Sequence, residues 1–165
     1  MPKPKVIVVS GVPGTGKTVI AKKLAKELGF RYLSIHNLNK SIYSGYDKER
    51  KTRIVDTDKM TAVFQKFLNA SKDKGIIFES HLAHHLPKKL VKLCVILTTN
   101  IKVLKARLAK RRYSQQKIEE NLQAEIFESI LTEAQENKHK VLKVDTTKFD
   151  RIKFRKLVSD IKKSI

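Results

Sequence analysis

The sequence predicts an α/β fold of the P-loop NTPase type, a five-stranded parallel sheet flanked by helices. Two observations predict the sheet: apolar runs alternate with stretches of helical periodicity, and no repeat, low-complexity stretch or linker interrupts the alternation. The third is the run GVPGTGKT, Gly11–Thr18, set between a short apolar strand and a helix. Residues 1–165 therefore read as one domain, long enough to bury a sizeable core.

The elements follow in order. Val6–Val9 is a β-branched, wholly apolar run, as expected of a strand buried on both faces. Lys17–Leu28 carries Ile20, Leu24 and Leu28 at helical spacing, with Ala21 and Ala25 beside them and Gly29 placed as a C-cap. Tyr32–Ile35 is the second strand. Residues 37–57 are polar and charged, with a GYD turn, and intrude before the next helix, Asp58–Ser71. Strands follow at Ile76–Phe78 and Leu93–Leu97, then a helix over Ile101–Arg111. The basic connector KRRYSQQK, 110–117, leads into one long helix, Gln115–Asn137. The last strand is Val141–Val144, and the helix Arg151–Ile165 aligns Phe154, Leu157, Val158, Ile161 and Ile165 on one face. Both interruptions fall at the C-terminal edge of the sheet, where open α/β sheets bind ligands, and suggest a small substrate-side subdomain and a short lid.

The Gly-rich run has the spacing G-x-x-x-x-G-K-[ST], with Gly11, Gly16, Lys17 and Thr18 at its fixed positions. Glycines let successive N–H groups turn inward into an anion nest, and the following helix adds its positive end. The backbone of Gly14, Thr15 and Gly16 would cradle the phosphates of ATP, Lys17 would neutralise the β/γ oxygens, and Thr18 would ligate Mg²⁺. Such a reaction needs an acidic group near the metal, often at a neighbouring strand end. Glu79 stands directly after Ile76-Ile77-Phe78 and would bond a Mg²⁺-bound water, with His81 facing the reaction space. His84 and His85 read as surface residues or as part of the entrance. No Gly-x-Pro-Arg segment follows this strand, so the arginine that grips the monophosphate in ordinary adenylate kinases is absent.

Thirty-six Lys and Arg against 16 Asp and Glu leave a net charge of +20, more than one bound nucleotide requires. A basic field of this size favours polyanions, above all RNA or a ribonucleoprotein; a Lys-rich surface suited to solubility or to a hot or salty cytoplasm is the alternative. Lys is spread along the whole chain, so composition does not choose between them. No apolar run has transmembrane length and no signal-peptide pattern opens the chain, which reads as cytoplasmic with no membrane partner. The single cysteine, Cys94, lies in the apolar run LCVILTT and reads as an inert core thiol.

Taken together these motifs resemble the adenylate-kinase-six family, archaeal and eukaryotic nucleotide kinases linked to small-ribosomal-subunit maturation. GVPGTGKT is similar to its P-loop, GYD at Gly45–Asp47 with IVDTDK at Ile54–Lys59 to its monophosphate side, and ESH at Glu79–His81 to its acidic-x-His motif. Arg107–Ala134 follows its lid and the helix beyond. Members commonly have Asp where Glu79 stands, so a longer side chain must reach the metal water. They have Gly where Arg112 stands, which adds a charge to the lid and stiffens it, and Asp where Asn37 stands.

The resemblance implies a nucleoside monophosphate kinase-like fold, with an NMP-binding segment at 33–56 and a lid at 110–120. It implies a broad-specificity adenylate kinase (ATP + AMP giving two ADP) with ATPase activity, using ATP and Mg²⁺. Partners would be rRNA and a platform protein of the small ribosomal subunit, in late 16S rRNA maturation. Arg111, with Arg107 and Arg112 as lesser candidates, would stabilise charge on the transferring group. Lys148, in the segment after the last strand, would touch the adenine. Two other readings stay open: a nucleotide-gated ribosome assembly protein whose kinase activity is incidental, and a metabolic kinase for a small acceptor.

Overall fold

The computed structural model describes residues 2–165. Strands β1 (Lys5–Ser10), β2 (Arg31–Ser34), β5 (Gly75–Glu79), β6 (Leu93–Thr98) and β7 (Val141–Asp145) form the main sheet, in the order β2-β5-β1-β6-β7 and all parallel. Helices α1 (Lys17–Leu28), α2 (Thr57–Ala70), α3 (Ile101–Lys110), α4 (Gln115–Ile126), α5 (Ser129–Glu136) and α6 (Arg151–Ser164) complete the chain with a hairpin of β3 (Tyr43–Asp47) and β4 (Thr52–Val55). The fold is a P-loop kinase fold, as the sequence predicts. No helix among the described residues is long and apolar enough to cross a membrane.

Alternation along β1 explains the layering. Val6 and Val8 join one core with Phe64 of α2, Phe78, Cys94 and Ala134 of α5. Ile7 and Val9 join the other with Ile20 and Leu24 of α1 and Leu157 and Ile161 of α6. Each face of the central strand thus receives its own pair of helices, and hydrophobic burial on both sides fixes its register. A smaller cluster of Val12, Leu104, Leu108 and Ile118 packs α3 and α4 beneath the loop after β1. Cys94 is fully buried, and burial pushes its thiol up to about 12, consistent with an inert core residue.

Two expectations are corrected. The polar insertion folds as the antiparallel hairpin β3–β4, with Gly45, Tyr46 and Asp47 inside β3; the reversal falls at 48–51. Asp47 pairs with Arg50 across that reversal, which Lys51 closes in a left-handed conformation (φ 49°). The long helix Gln115–Asn137 is two helices. Glu128 adopts φ 49° and breaks it, turning Ile130, Leu131 and Ala134 of α5 onto the sheet. Neither proline nor glycine marks that break in the sequence. At the end of α3, Arg112 stands in left-handed backbone (φ 56°), a conformation glycine adopts at little cost. What the residue at 112 contributes is therefore backbone strain as well as charge.

Arg112→Gly is expected to stabilise the chain by about 1 kcal/mol through relief of that strain. Thermal unfolding monitored by circular dichroism should show a melting temperature higher by roughly 2–4 °C.

Candidate functional site

The loop from β1 to α1 must present backbone N–H groups with no side chain in their way. Gly11 lies at φ 149°, and a Cβ there would approach the Leu97 carbonyl oxygen to 2.6 Å. Gly16 caps α1 at φ 86°, and a Cβ there would meet nothing within 4 Å except the open cradle. The loop is pinned from behind. Thr15 Oγ1 donates to Val12 O (2.8 Å), the Thr146 hydroxyl donates to Thr15 O (2.8 Å), and Arg107 Nη1 donates to Gly14 O (3.1 Å). Thr15 N–H lies 3.4 Å from Val12 O, so this amide turns into the loop rather than toward the cradle.

Lys17 is nearly buried at 9% exposure and donates to Val12 O at 3.0 Å, spanning the loop. Burial pulls its pKa down to about 8, opposed by the Glu79 carboxylate and assisted by the Arg111 charge. Beside it, Thr18 Oγ1 donates to Glu79 Oε2 at 3.2 Å. Register explains the meeting: β5 pairs with β1 so that Glu79 lies opposite Val9, two residues before the loop. The longer carboxylate side chain reaches the Thr18 hydroxyl directly. Hard oxygen donors of this kind have the chemistry that suits Mg²⁺.

Tyr32 of β2 donates its hydroxyl to the same carboxylate oxygen, Glu79 Oε2, at 3.0 Å. Burial, with the Glu79 charge second, pushes its phenol up to about 12. Nothing in the sequence marks Tyr32, because β2 becomes a neighbour of β5 only in the folded sheet.

These groups line one cleft of about 590 Å³. From the loop it passes Tyr32, Glu79, His81 and Arg111, then continues between the hairpin (Arg50, Thr52) and α4 (Lys117, Glu120, Asn121). His81 is open to this space. The cleft walls and the nearby Lys17 charge hold its pKa below the usual imidazole value, so it is neutral near pH 7. Arg50 closes the far end. Its Nε and Nη2 grip the Glu120 carboxylate at 3.0 and 3.2 Å and tie the hairpin to α4.

The structure therefore brings Gly14, Gly16, Lys17, Thr18, Glu79, His81 and Arg111 into one cleft. Arg107 is turned to the back of the loop, bonded to Gly14 O and Thr146 O, and Arg112 is exposed. Lys148 is exposed after β7 and does not line the cleft. His84 is corrected from the surface to the interior. It is 1% exposed because Ser10 Oγ and Glu133 Oε2 satisfy its two ring nitrogens at 2.9 and 2.7 Å.

Comparisons with known proteins identify the family and the fold. Residues 7–128 match the family model described as "AAA domain". A protein named "Putative adenylate kinase" from Thermococcus kodakarensis is 38% identical over 144 residues, covering 86% of this chain and 76% of its own. Proteins of the same name from Pyrococcus abyssi (36%; 86% and 74% covered) and Methanocaldococcus jannaschii (34%; 87% and 78% covered) are also similar. Among solved structures, a gluconokinase from Sinorhizobium meliloti superposes with a TM-score of 0.55 at 17% identity, covering 98% of both chains. A putative kinase from Chloroflexus aurantiacus superposes with a TM-score of 0.54 at 18% identity, covering 99% of this chain and 100% of its own. These two share the fold.

The pKa of Lys17 gives the cradle a pH signature. Bound phosphate favours the ammonium form and raises its pKa above the free value of about 8. Nucleotide affinity should then be flat below pH 8 and weaken by up to about tenfold per unit as pH rises past it. Calorimetric titration of ATP at pH 7 to 9.5, in buffers of different ionisation enthalpy, should show proton uptake near pH 8.5. Lys17→Ala should bind weakly, with no such uptake.

Proposed function

The chain belongs to the AAA domain family and, within it, to the P-loop nucleotide kinases, and from that premise we propose that it transfers the γ-phosphoryl group of ATP to a nucleoside monophosphate, AMP foremost, and to water. The observation that carries this reading is the single cleft in which Lys17, the Thr18–Glu79 pair, His81 and Arg111 converge beside a second, hairpin-walled end.

In this reading ATP lies with its phosphates over Gly14–Thr18 and its adenine beyond the cleft, toward residues 145–148, where Lys148 would touch it. Residues 33–56 form the acceptor side and 110–120 the lid, within one domain. Thr18 and Glu79 would hold Mg²⁺, which when bound would offset negative charge on the nucleotide's phosphate oxygens. An oxygen of the acceptor phosphate attacks the γ phosphorus in line, the bond from that phosphorus to the β–γ bridging oxygen breaks, and the donor leaves as ADP. Lys17 and Arg111 offset the charge on the transferring group. His36, Arg50 and Lys117 line the acceptor end and are the groups present to hold a monophosphate there. With water as acceptor, neutral His81 accepts a hydrogen bond from the attacking molecule and orients it.

We place this activity in the cytoplasm, in late maturation of the small ribosomal subunit, with rRNA and a platform protein as partners. Support comes from the +20 charge and the resemblance of the lid and acidic-x-His segments. In the alternative of a nucleotide-gated assembly protein, hydrolysis times release and kinase turnover is incidental. A metabolic kinase would leave the charge without an RNA role.

The test measures ADP formation and phosphate release with ATP alone, then with each nucleoside monophosphate. AMP-dependent ADP formation is expected, and its absence with every monophosphate would remove the kinase reading. His81→Ala should lower ATP hydrolysis by about a hundredfold or more, with ATP affinity within about threefold of wild type because the loop makes most nucleotide contacts. Normal hydrolysis would reduce His81 to packing. Binding to 16S rRNA fragments should weaken by about a hundredfold or more between 50 and 200 mM salt through counterion release. No binding at low salt would favour the metabolic kinase.

A further inference from the structure

Three potential metal ligands meet outside the nucleotide cleft, and the proposed kinase chemistry uses none of them. His84 and His85 lie in a 3₁₀ turn after β5, and Glu133 projects from α5. Each offers one ligand atom, and the three atoms all fall within 4.8 Å of one another. We propose that they form a site for one divalent transition ion of the Zn²⁺ class.

The geometry of His85 points beyond a simple hydrogen bond. His84 Nε2 is 2.7 Å from Glu133 Oε2, the distance of an ordinary His–carboxylate contact. His85 Nε2 faces the same oxygen at 3.5 Å, too far for a good hydrogen bond. Two ligands bound about 2.0–2.1 Å from one tetrahedral Zn²⁺ are about 3.3 Å apart. The two measured separations straddle that value, so a modest opening of the Glu133 side chain seats the ion.

The surroundings fit as well. Ser10 Oγ lies 2.9 Å from His84 Nδ1 and orients the ring so that Nε2 faces the site, as a second partner does for metal-bound histidines. Asn137 Nδ2 and His139 Nε2 both donate to the His84 carbonyl, at 3.0 and 2.9 Å, and hold its backbone. His85 and Glu133 are 33% and 45% exposed, which gives the ion an entry route and leaves its fourth position to water. Imidazole with one carboxylate selects Zn²⁺-like ions, whereas the Thr18–Glu79 corner offers only oxygen. One chain therefore carries two cation sites of different chemistry.

The test titrates the metal-free chain, residues 1–165, without nucleotide, with Co²⁺ as a spectroscopic probe and then with competing Zn²⁺. Wild type is expected to bind one ion per chain, with visible ligand-field bands that Zn²⁺ abolishes and millimolar Mg²⁺ does not. His85→Ala and Glu133→Gln should each weaken binding at least tenfold. Both positions are partly exposed, and the melting temperature of each metal-free variant checks that its fold is retained. No saturable binding by wild type, or binding of equal strength in the folded variants, would overturn the proposal.

Discussion

The arrangement depends on one backbone constraint. Between β1 and α1 the chain must aim amide groups at a single point, and it does so with Gly11, Gly14 and Gly16 at φ 149°, 90° and 86°. Such a turn holds only if the surrounding structure over-determines it. The Leu97 carbonyl crowds Gly11, Leu104 and Leu108 crowd Gly14, and Arg107 of α3 and Thr146 just after β7 grip loop carbonyls. The sheet order, the packing of α3 and the end of β7 can all be read as supports for this turn.

Electrostatics inside the cleft runs against the character of the whole chain. A protein of net charge +20 places its buried lysine beside a buried glutamate, Glu79, with Glu125 also within electrostatic reach. Those carboxylates hold part of the Lys17 charge that burial would otherwise remove. Glu125 has a structural task too: its carboxylate accepts the Thr99 N–H at 2.7 Å, anchoring the end of α4 to the sheet edge. Arg50, gripped by Glu120 and Asp47, joins the hairpin to α4 across the far end of the cleft. Opening that end requires parting a solvent-accessible ion pair, a modest cost compatible with a moving wall.

The segment after β5 serves two directions. Glu79 and His81 face the cleft, while His84 turns inward beneath Ser10, the residue immediately before the loop. His84 lies within a short 3₁₀ turn, where its ring stays beside that of His85 at 4.3 Å between centroids, while His81, before the turn, is left to the cleft. His84 thereby connects the end of β1 to α5 through Glu133, so the loop and α5 share one buried polar link.

The sequence alone determined whatever depends on local spacing. The P-loop followed from glycine positions, the strand cores from apolar runs, and Glu79 from its place at a strand end. The C-cap of α1 at Gly29 and the two-sided burial of β1 followed from the same short-range chemistry. Tertiary structure decided everything that depends on which elements become neighbours. Tyr32 reaches Glu79 because β2 pairs with β5. Arg107 leaves the lid for the back of the loop because α3 packs under Gly14. The reversal at 48–51 and the break at Glu128 carry neither glycine nor proline, and Gly45, the one glycine nearby, lies within β3. His84 read as a surface histidine because its partners, Ser10 and Glu133, lie 74 and 49 residues away. Side-chain chemistry is written along the chain, but contacts across such separations exist only after burial has chosen the packing.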